Sequence, residues 1–166
     1  MVGAGSPKLV SLSRRLIKDV QEVEEVINDL DWLFSQSHPY VRPFFQRGFR
    51  ARMGIGLKEW ERLMDLGLEA SREMEKACFG TSQYMLYERV QVFIELYEPI
   101  MVALNMLFAN LGSLAKDARE LSSEEAEIRS IEAKVEEQTC AVGNMLTTMS
   151  ALRAVIEDGS WSDPRA

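Results

Sequence analysis

The sequence has little of the chemistry that enzymes and metal proteins commonly use. Its 166 residues include one histidine, His38, and two cysteines, Cys78 and Cys140. The cysteines form no CxxC pair, which argues against a structural zinc site. Di-iron and haem bundles need histidine ligands, whereas His38 precedes a proline and is better interpreted as a turn residue. We therefore expect no metal and no other cofactor, and we interpret both cysteines as small apolar core residues.

Motifs for phosphate binding and nucleophilic catalysis are also absent from the sequence. There is no GxxxxGK[ST] loop and no GxGxxG that follows a strand pattern. A Ser-His-Asp or Cys-His site would have to use His38, and no nucleophile is indicated beside it. We expect a protein that is not an enzyme.

Long hydrophobic runs and secretion signals are missing as well. The longest uncharged apolar run, residues 99–115, is shorter than the roughly 20 residues of a membrane-spanning helix. We interpret this run as a buried helix of a soluble protein. The N-terminus has no apolar core of a secretory signal, so we expect a cytoplasmic protein, with a membrane-peripheral location as the alternative.

The length and the charge balance point to one soluble, acidic domain. The chain has 46% hydrophobic residues, a net charge of −7 and a pI near 4.9. A chain of this length forms one core without needing metals or disulfides. The negative net charge disfavours nucleic acid as a partner.

Helical periodicity is the strongest pattern present. Apolar residues spaced alternately by four and three residues run through positions 9–34, 86–114 and 128–156, with Gln138 as a polar member of the last seam. A less regular segment lies at about 57–78, where Gly67, Ala70 and Ser71 interrupt the bulky residues. These small residues indicate either that a neighbouring helix packs closely against this segment or that it is the weakest of the four helices. Pro99 predicts a kink in the third of these helices.

Capping residues set the expected boundaries of the fold. Ser6 with Pro7, Ser122 with Glu125, and Gly159 are typical of helix ends. We predict an all-α protein, an antiparallel up-down-up-down four-helix bundle with long helices and an extra short helix in the first connection. The expected organisation is a disordered leader at 1–7, the bundle at 8–158 and a disordered tail at 159–166.

One segment departs from the acidic average. Residues 32–58 contain no Asp or Glu and carry a charge of +5, so the remainder of the chain carries −12. Pro43 indicates a short basic amphipathic helix over residues 43–52, followed by a glycine-flanked hinge. The candidate binding residues are Arg42, Phe44, Phe45, Arg47, Phe49, Arg50, Arg52 and Lys58.

Four interpretations of these eight residues follow from their chemistry. In the first, the segment is structural: its aromatic residues cap the end of the bundle and its arginines pair with acidic residues of other helices. In the other three, the segment is a binding surface, for a protein, for anionic lipid or for nucleic acid. From the seams, the missing catalytic groups and this segment we predict a non-enzymatic interaction module: a scaffold, adaptor or signalling domain that binds a protein partner or self-associates. The alternative is a bundle that binds an anionic membrane surface through residues 40–56.

Overall fold

A computed structural model describes residues 6–37, 41–80, 82–121, 125–159 and 161. Within these ranges it describes the backbone but not the side chains of residues 26–27, 29–37, 41–45, 114–115, 117–119, 121 and 127. The described residues form five helices and contain no strand: α1 (Pro7–Ser37), α2 (Val41–Met53), α3 (Leu57–Cys78), α4 (Gln83–Leu121) and α5 (Glu125–Asp158). The prediction of an all-α protein with a short helix in the first connection is confirmed.

Capping groups start and stop these helices where the sequence indicates. The backbone N–H of Leu9 donates to Oγ of Ser6 at 3.2 Å, and that of Met85 donates to Oγ of Ser82 at 3.3 Å. Gly159 follows α5 with φ +73°, a left-handed position that favours glycine. The predicted cap at Ser122 lies outside the described residues.

The predicted seams form the core. Their buried members include Leu16 and Val20 of α1, Leu104 of α4 and Val142 of α5. Gln138 is also buried, as its place in the α5 seam predicts. The seam side chains at 27, 30, 34 and 114 lie outside the described residues.

Small residues of α3 bring it close to α4. Gly67 is buried, and a Cβ atom added to it would lie 2.9 Å from Cδ1 of Ile100. Ala70 and Ser71 are buried on the same helix. The predicted close helix approach is therefore confirmed at Gly67, and whether α3 is the weakest helix stays a prediction. α4 continues through Pro99, and the kink there stays a prediction.

The short helix α2 packs against the long helices. Both α1 and α4 pack on α3 and α5. Like α3, the short helix α2 packs on α1 and α4. At 1.5 Å per residue, the 22 residues of α3 span about 33 Å and the 39 residues of α4 about 58 Å. The 13 residues of α2 span about 20 Å.

Packed residues extend into both of the segments that were predicted to be disordered, 1–7 and 159–166. Ser6 is buried as the cap of α1, and Pro7 is its first helical residue. Trp161 is buried, and its indole N–H donates to the carbonyl oxygen of Ile156 at 3.0 Å. Residues 1–5, 160 and 162–166 of the predicted disordered ends lie outside the described residues.

Candidate functional site

The basic amphipathic helix predicted at residues 43–52 is α2, and the chain turns sharply at its end. Gly54 has φ +73°, and its N–H donates to the carbonyl oxygen of Arg50 at 2.9 Å. A left-handed residue directly after a helix closes its last turn, which glycine does without steric cost. The predicted glycine-flanked end therefore fixes the direction in which the chain enters α3.

Phe49 is a core residue and is not available on the surface for a partner. Its side chain has no exposed area, and its ring contacts Trp60 of α3 edge to face, with ring centroids 6.3 Å apart. Met53, one turn further on, is also buried. The apolar side of an amphipathic helix is covered here by the protein's own core, because α2 lies against α1 and α4.

The basic side chains of the candidate site remain accessible. Arg47, Arg50 and Lys58 are exposed, and Arg52 is half-buried. Arg50 and Arg52 lie in the last turn of α2, where cations interact favourably with the helix dipole. The side chains of the remaining three candidates lie outside the described residues: Arg42, Phe44 and Phe45. The described surface of this site is thus basic rather than basic and aromatic.

A second accessible surface lies on α4 and was not predicted. Of the nine large apolar side chains that are exposed among the described residues, seven belong to this helix. Val102 is 59% exposed, Phe108 48% and Met106 38%. The sequence interpretation of residues 99–115 as a buried helix is therefore wrong for one side of it. A run with no charge gave no sign that one face is open.

The same helix passes a composition test for a membrane span. Within the described residues, Gln83–Ser113 is long and apolar enough to cross a bilayer, with a mean hydropathy of 1.6 in its most apolar stretch. Only 28% of that stretch is buried. Core helices of soluble proteins pass this test too, but they are mostly buried. α4 therefore combines an apolar composition with little cover from the other helices.

A polar interface joins α1 to α5. Asp19 of α1 is buried and accepts a hydrogen bond from the hydroxyl of Thr148 on α5. Burial raises the pKa of Asp19, and the hydrogen bond from Thr148 opposes this shift. Asp19 was not among the predicted site residues. Its position could have indicated burial, because it continues the four-three spacing of the apolar residues Leu12, Leu16 and Val23.

Two open grooves of about 600 Å³ flank this interface. One is lined by several acidic side chains, among them Glu22 and Glu136, and the other by Arg14, Arg15 and Lys18. These side chains are largely solvated, as charged residues between two surface helices usually are. The grooves therefore indicate no particular ligand.

A pair of carboxyl groups joins α1 to α3. Glu24 of α1 shares a hydrogen bond with Asp65 of α3, and one oxygen of Glu24 is buried with no partner. Burial, this hydrogen bond and the negative charges of Asp65 and Glu61 raise the pKa of Glu24 to about 7, against the pull of Arg72. One proton bound between the two carboxyl groups relieves their repulsion.

The two cysteines differ in accessibility. Cys78 is buried, and burial together with the charge of Glu75 raises the pKa of its thiol to about 11. Cys140 is exposed on α5. The interpretation of both as core residues is correct for Cys78 and wrong for Cys140. Both are free thiols.

Neither a metal site nor a relative identifies the protein. Among the described residues, no group of three or more His, Cys, Asp or Glu side chains is placed to hold a metal ion. His38 lies outside the described residues. No protein-family model, curated protein or solved structure matches the chain. The features that bear on function are therefore the accessible surfaces of α2 and α4.

Proposed function

We propose that this protein is a non-enzymatic helical-bundle interaction module, a scaffold, adaptor or signalling domain that works by protein-protein binding or self-association. The observation that carries the proposal is the concentration of exposed apolar side chains on α4, where residues 99–115 include no charge. Apolar patches on soluble proteins commonly mark interaction sites, because leaving them in water has a cost in free energy.

The predicted antiparallel up-down-up-down bundle is part of this proposal. Arg14, near the start of α1, pairs with Glu75, near the end of α3, at 2.8 Å. Asp19, also early in α1, is bonded to Thr148, late in α5. Contacts between the start of one helix and the end of another are typical of antiparallel neighbours. They support an arrangement in which α2 and α3 together occupy one of the four positions.

Binding to an anionic membrane surface is the second candidate function. It is favoured by the low burial of the membrane-length segment of α4 together with the basic helix α2 packed beside it. Basic residues near an acidic leaflet contribute about 1 kcal/mol each, and exposed apolar side chains add to this. The basic residues that would act are Arg47, Arg50 and Lys58, which are exposed.

Two surface variants separate these functions. Val102→Gln with Met106→Gln removes apolar contacts from α4 at constant charge, whereas Arg47→Glu with Arg50→Glu reverses charge on α2. All four side chains are exposed, so both variants should fold, which circular dichroism checks. Lys18→Glu, on the exposed side of α1, is the control for a change of charge elsewhere.

The readouts are affinity purification with mass spectrometry from the native source and flotation with vesicles. Loss of a reproducible partner in the α4 variant supports protein binding through this face. Flotation with acidic but not neutral vesicles, lost in the α2 variant, supports the membrane function instead. Retention of every partner by both variants, without flotation, contradicts the proposal that these surfaces are functional.

A further inference from the structure

A second regular seam runs along the outside of α4. Its six members are all exposed: Glu98, Val102, Asn105, Ala109, Gly112 and Lys116. Their spacing of four, three, four, three and four residues places them on one face of the helix. The buried seam of α4 has the same spacing and packs inside the protein. We call these six residues the outer seam.

The outer seam is complementary to itself in the antiparallel direction. Its members lie in pairs at equal distances from residue 107, so a two-fold axis at that level would bring each residue against its counterpart in a second copy. The three pairs are Glu98 with Lys116, Val102 with Gly112, and Asn105 with Ala109.

The charges select this orientation over the parallel one. The outer seam ends in an acid at Glu98 and a base at Lys116, and residues 99–115 between them carry no charge. In an antiparallel pair each acid faces a base, whereas a parallel pair would set acid against acid and base against base. Exposed ion pairs contribute little to affinity, but they discriminate between orientations effectively.

The sizes of the side chains match in the same register. The large exposed side chain of Val102 would face Gly112, and Asn105 would face the small Ala109. A Cβ atom added to Gly112 would meet nothing within 4 Å. Packing within the chain therefore does not require this glycine, although it weakens a helix by roughly 1 kcal/mol relative to alanine. Close approach of a second helix is a reason for glycine at this position.

We propose that the protein forms an antiparallel homodimer through the outer seam of α4, with the two-fold axis at the level of Leu107. This inference rests on the proposed function and names its partner as a second copy of the chain. The dimer covers Val102, which is 59% exposed, and brings Met106 and Phe108 to the edges of the contact.

Charge exchange tests the orientation directly. Glu98→Lys and Lys116→Glu, each in the full chain, place like charges opposite each other at both ends of the dimer. We expect each to weaken the dimer by about tenfold at low salt, measured by sedimentation velocity over about three decades of concentration. An equimolar mixture of the two variants should restore wild-type affinity, because each variant then meets its opposite charge.

The mixture also controls for effects inside one chain. Glu98 lies within electrostatic range of Arg153 on α5, so Glu98→Lys alters the monomer as well. Recovery on mixing requires opposite charges on two different molecules and cannot arise from a change within one chain. Absence of recovery on mixing overturns the antiparallel register.

Glycine substitution tests the close approach. Gly112→Ala should raise the melting temperature of the monomer through helix propensity and yet weaken the dimer, and Gly112→Leu should abolish dimer formation. The matched control is Gly143→Ala in α5, because an added Cβ there also meets nothing within 4 Å. Gly143→Ala should leave the dimer unchanged. Equal dimerisation of Gly112→Leu and wild type overturns the proposal.

The remaining outcomes separate this inference from the broader function. A wild-type chain that stays monomeric over the whole concentration range overturns the homodimer. If such a monomer still loses a partner on Val102→Gln with Met106→Gln, the protein-binding function stands without the dimer. A monomer that instead floats with acidic vesicles, and loses flotation in that variant, assigns the face to the membrane and likewise overturns the dimer.

Discussion

The carboxyl pair between α1 and α3 predicts an unusual pH dependence of stability. Glu24→Gln keeps the length and shape of the side chain and lets its amide donate a hydrogen bond to Asp65. The substitution removes a charge that burial and the neighbouring acids, Asp65 and Glu61, make costly in the folded state. We therefore expect the variant to be more stable than the wild type at alkaline pH.

The size of the effect follows from the pKa of Glu24. Its rise from 4.5 to about 7 corresponds to an upper limit of about 3 kcal/mol, at 1.36 kcal/mol per pKa unit. Because Glu24 is only half-buried, solvent screening reduces the expected gain to about 1–2 kcal/mol, or about 2–8 °C in melting temperature.

The direction with pH is fixed by linkage. Below pH 4.5 the carboxyl group is protonated in both the folded and the unfolded chain, so it does not affect stability. Above pH 7 it is ionised in both states and the full cost is present. Between these limits the wild type loses stability as the pH rises, and Glu24→Gln lacks this loss.

Denaturant unfolding of both chains from about pH 4 to about pH 9 measures this difference. Glu25→Gln, an exposed neighbour on the same helix, controls for the loss of one negative charge. The two stability curves should meet in acid and separate in base. Curves that stay parallel over the whole range would show that the ionised form of Glu24 has no specific cost in the folded state.

Three further predictions concern the core and the thiols. A maleimide should label Cys140 in the folded protein and Cys78 only on unfolding, because Cys78 is buried with its thiol pKa raised to about 11; equal labelling of both in the native state would contradict this. Phe49→Ala should destabilise the protein by about 3–5 kcal/mol in denaturant unfolding, and a cost below about 1 kcal/mol would show that α2 is not docked in the core. Thr148→Val should cost about 1–3 kcal/mol near neutral pH, because it leaves the buried carboxylate of Asp19 without its donor; the loss should be smaller when Asp19→Asn is already present, because a neutral amide oxygen is a weaker acceptor than a carboxylate.

Local patterns predicted the helices well. The segment expected at 57–78 is α3 with the same bounds, and the short helix expected at 43–52 is α2, Val41–Met53. Ser6 and Gly159 mark helix ends as expected, because capping depends on hydrogen bonds and dihedral angles within a few residues. Such interactions are encoded in the immediate sequence.

Exposure was harder to predict than helix position. Phe49 and Arg50 are adjacent in an amphipathic pattern, and the pattern alone does not say whether its apolar side meets the core or a partner. The fold resolves this by burying Phe49 against Trp60. The opposite error occurred on α4, where the four-three seam correctly marks Ile100, Leu104 and Leu107 as buried, but the lack of charge in residues 99–115 gave no sign that the other side of the helix is exposed.

The four-three seams determined from the sequence alone that this is a helical protein. The near absence of histidine predicts one without metal or enzymatic chemistry. The tertiary structure decided which polar side chains meet across the helices: Asp19 with Thr148, and Glu24 with Asp65. It also decided that one side of α4 stays open. The physical reason is that helix formation depends on neighbours in sequence, whereas burial, shifted pKa values and free surfaces depend on which helices pack together.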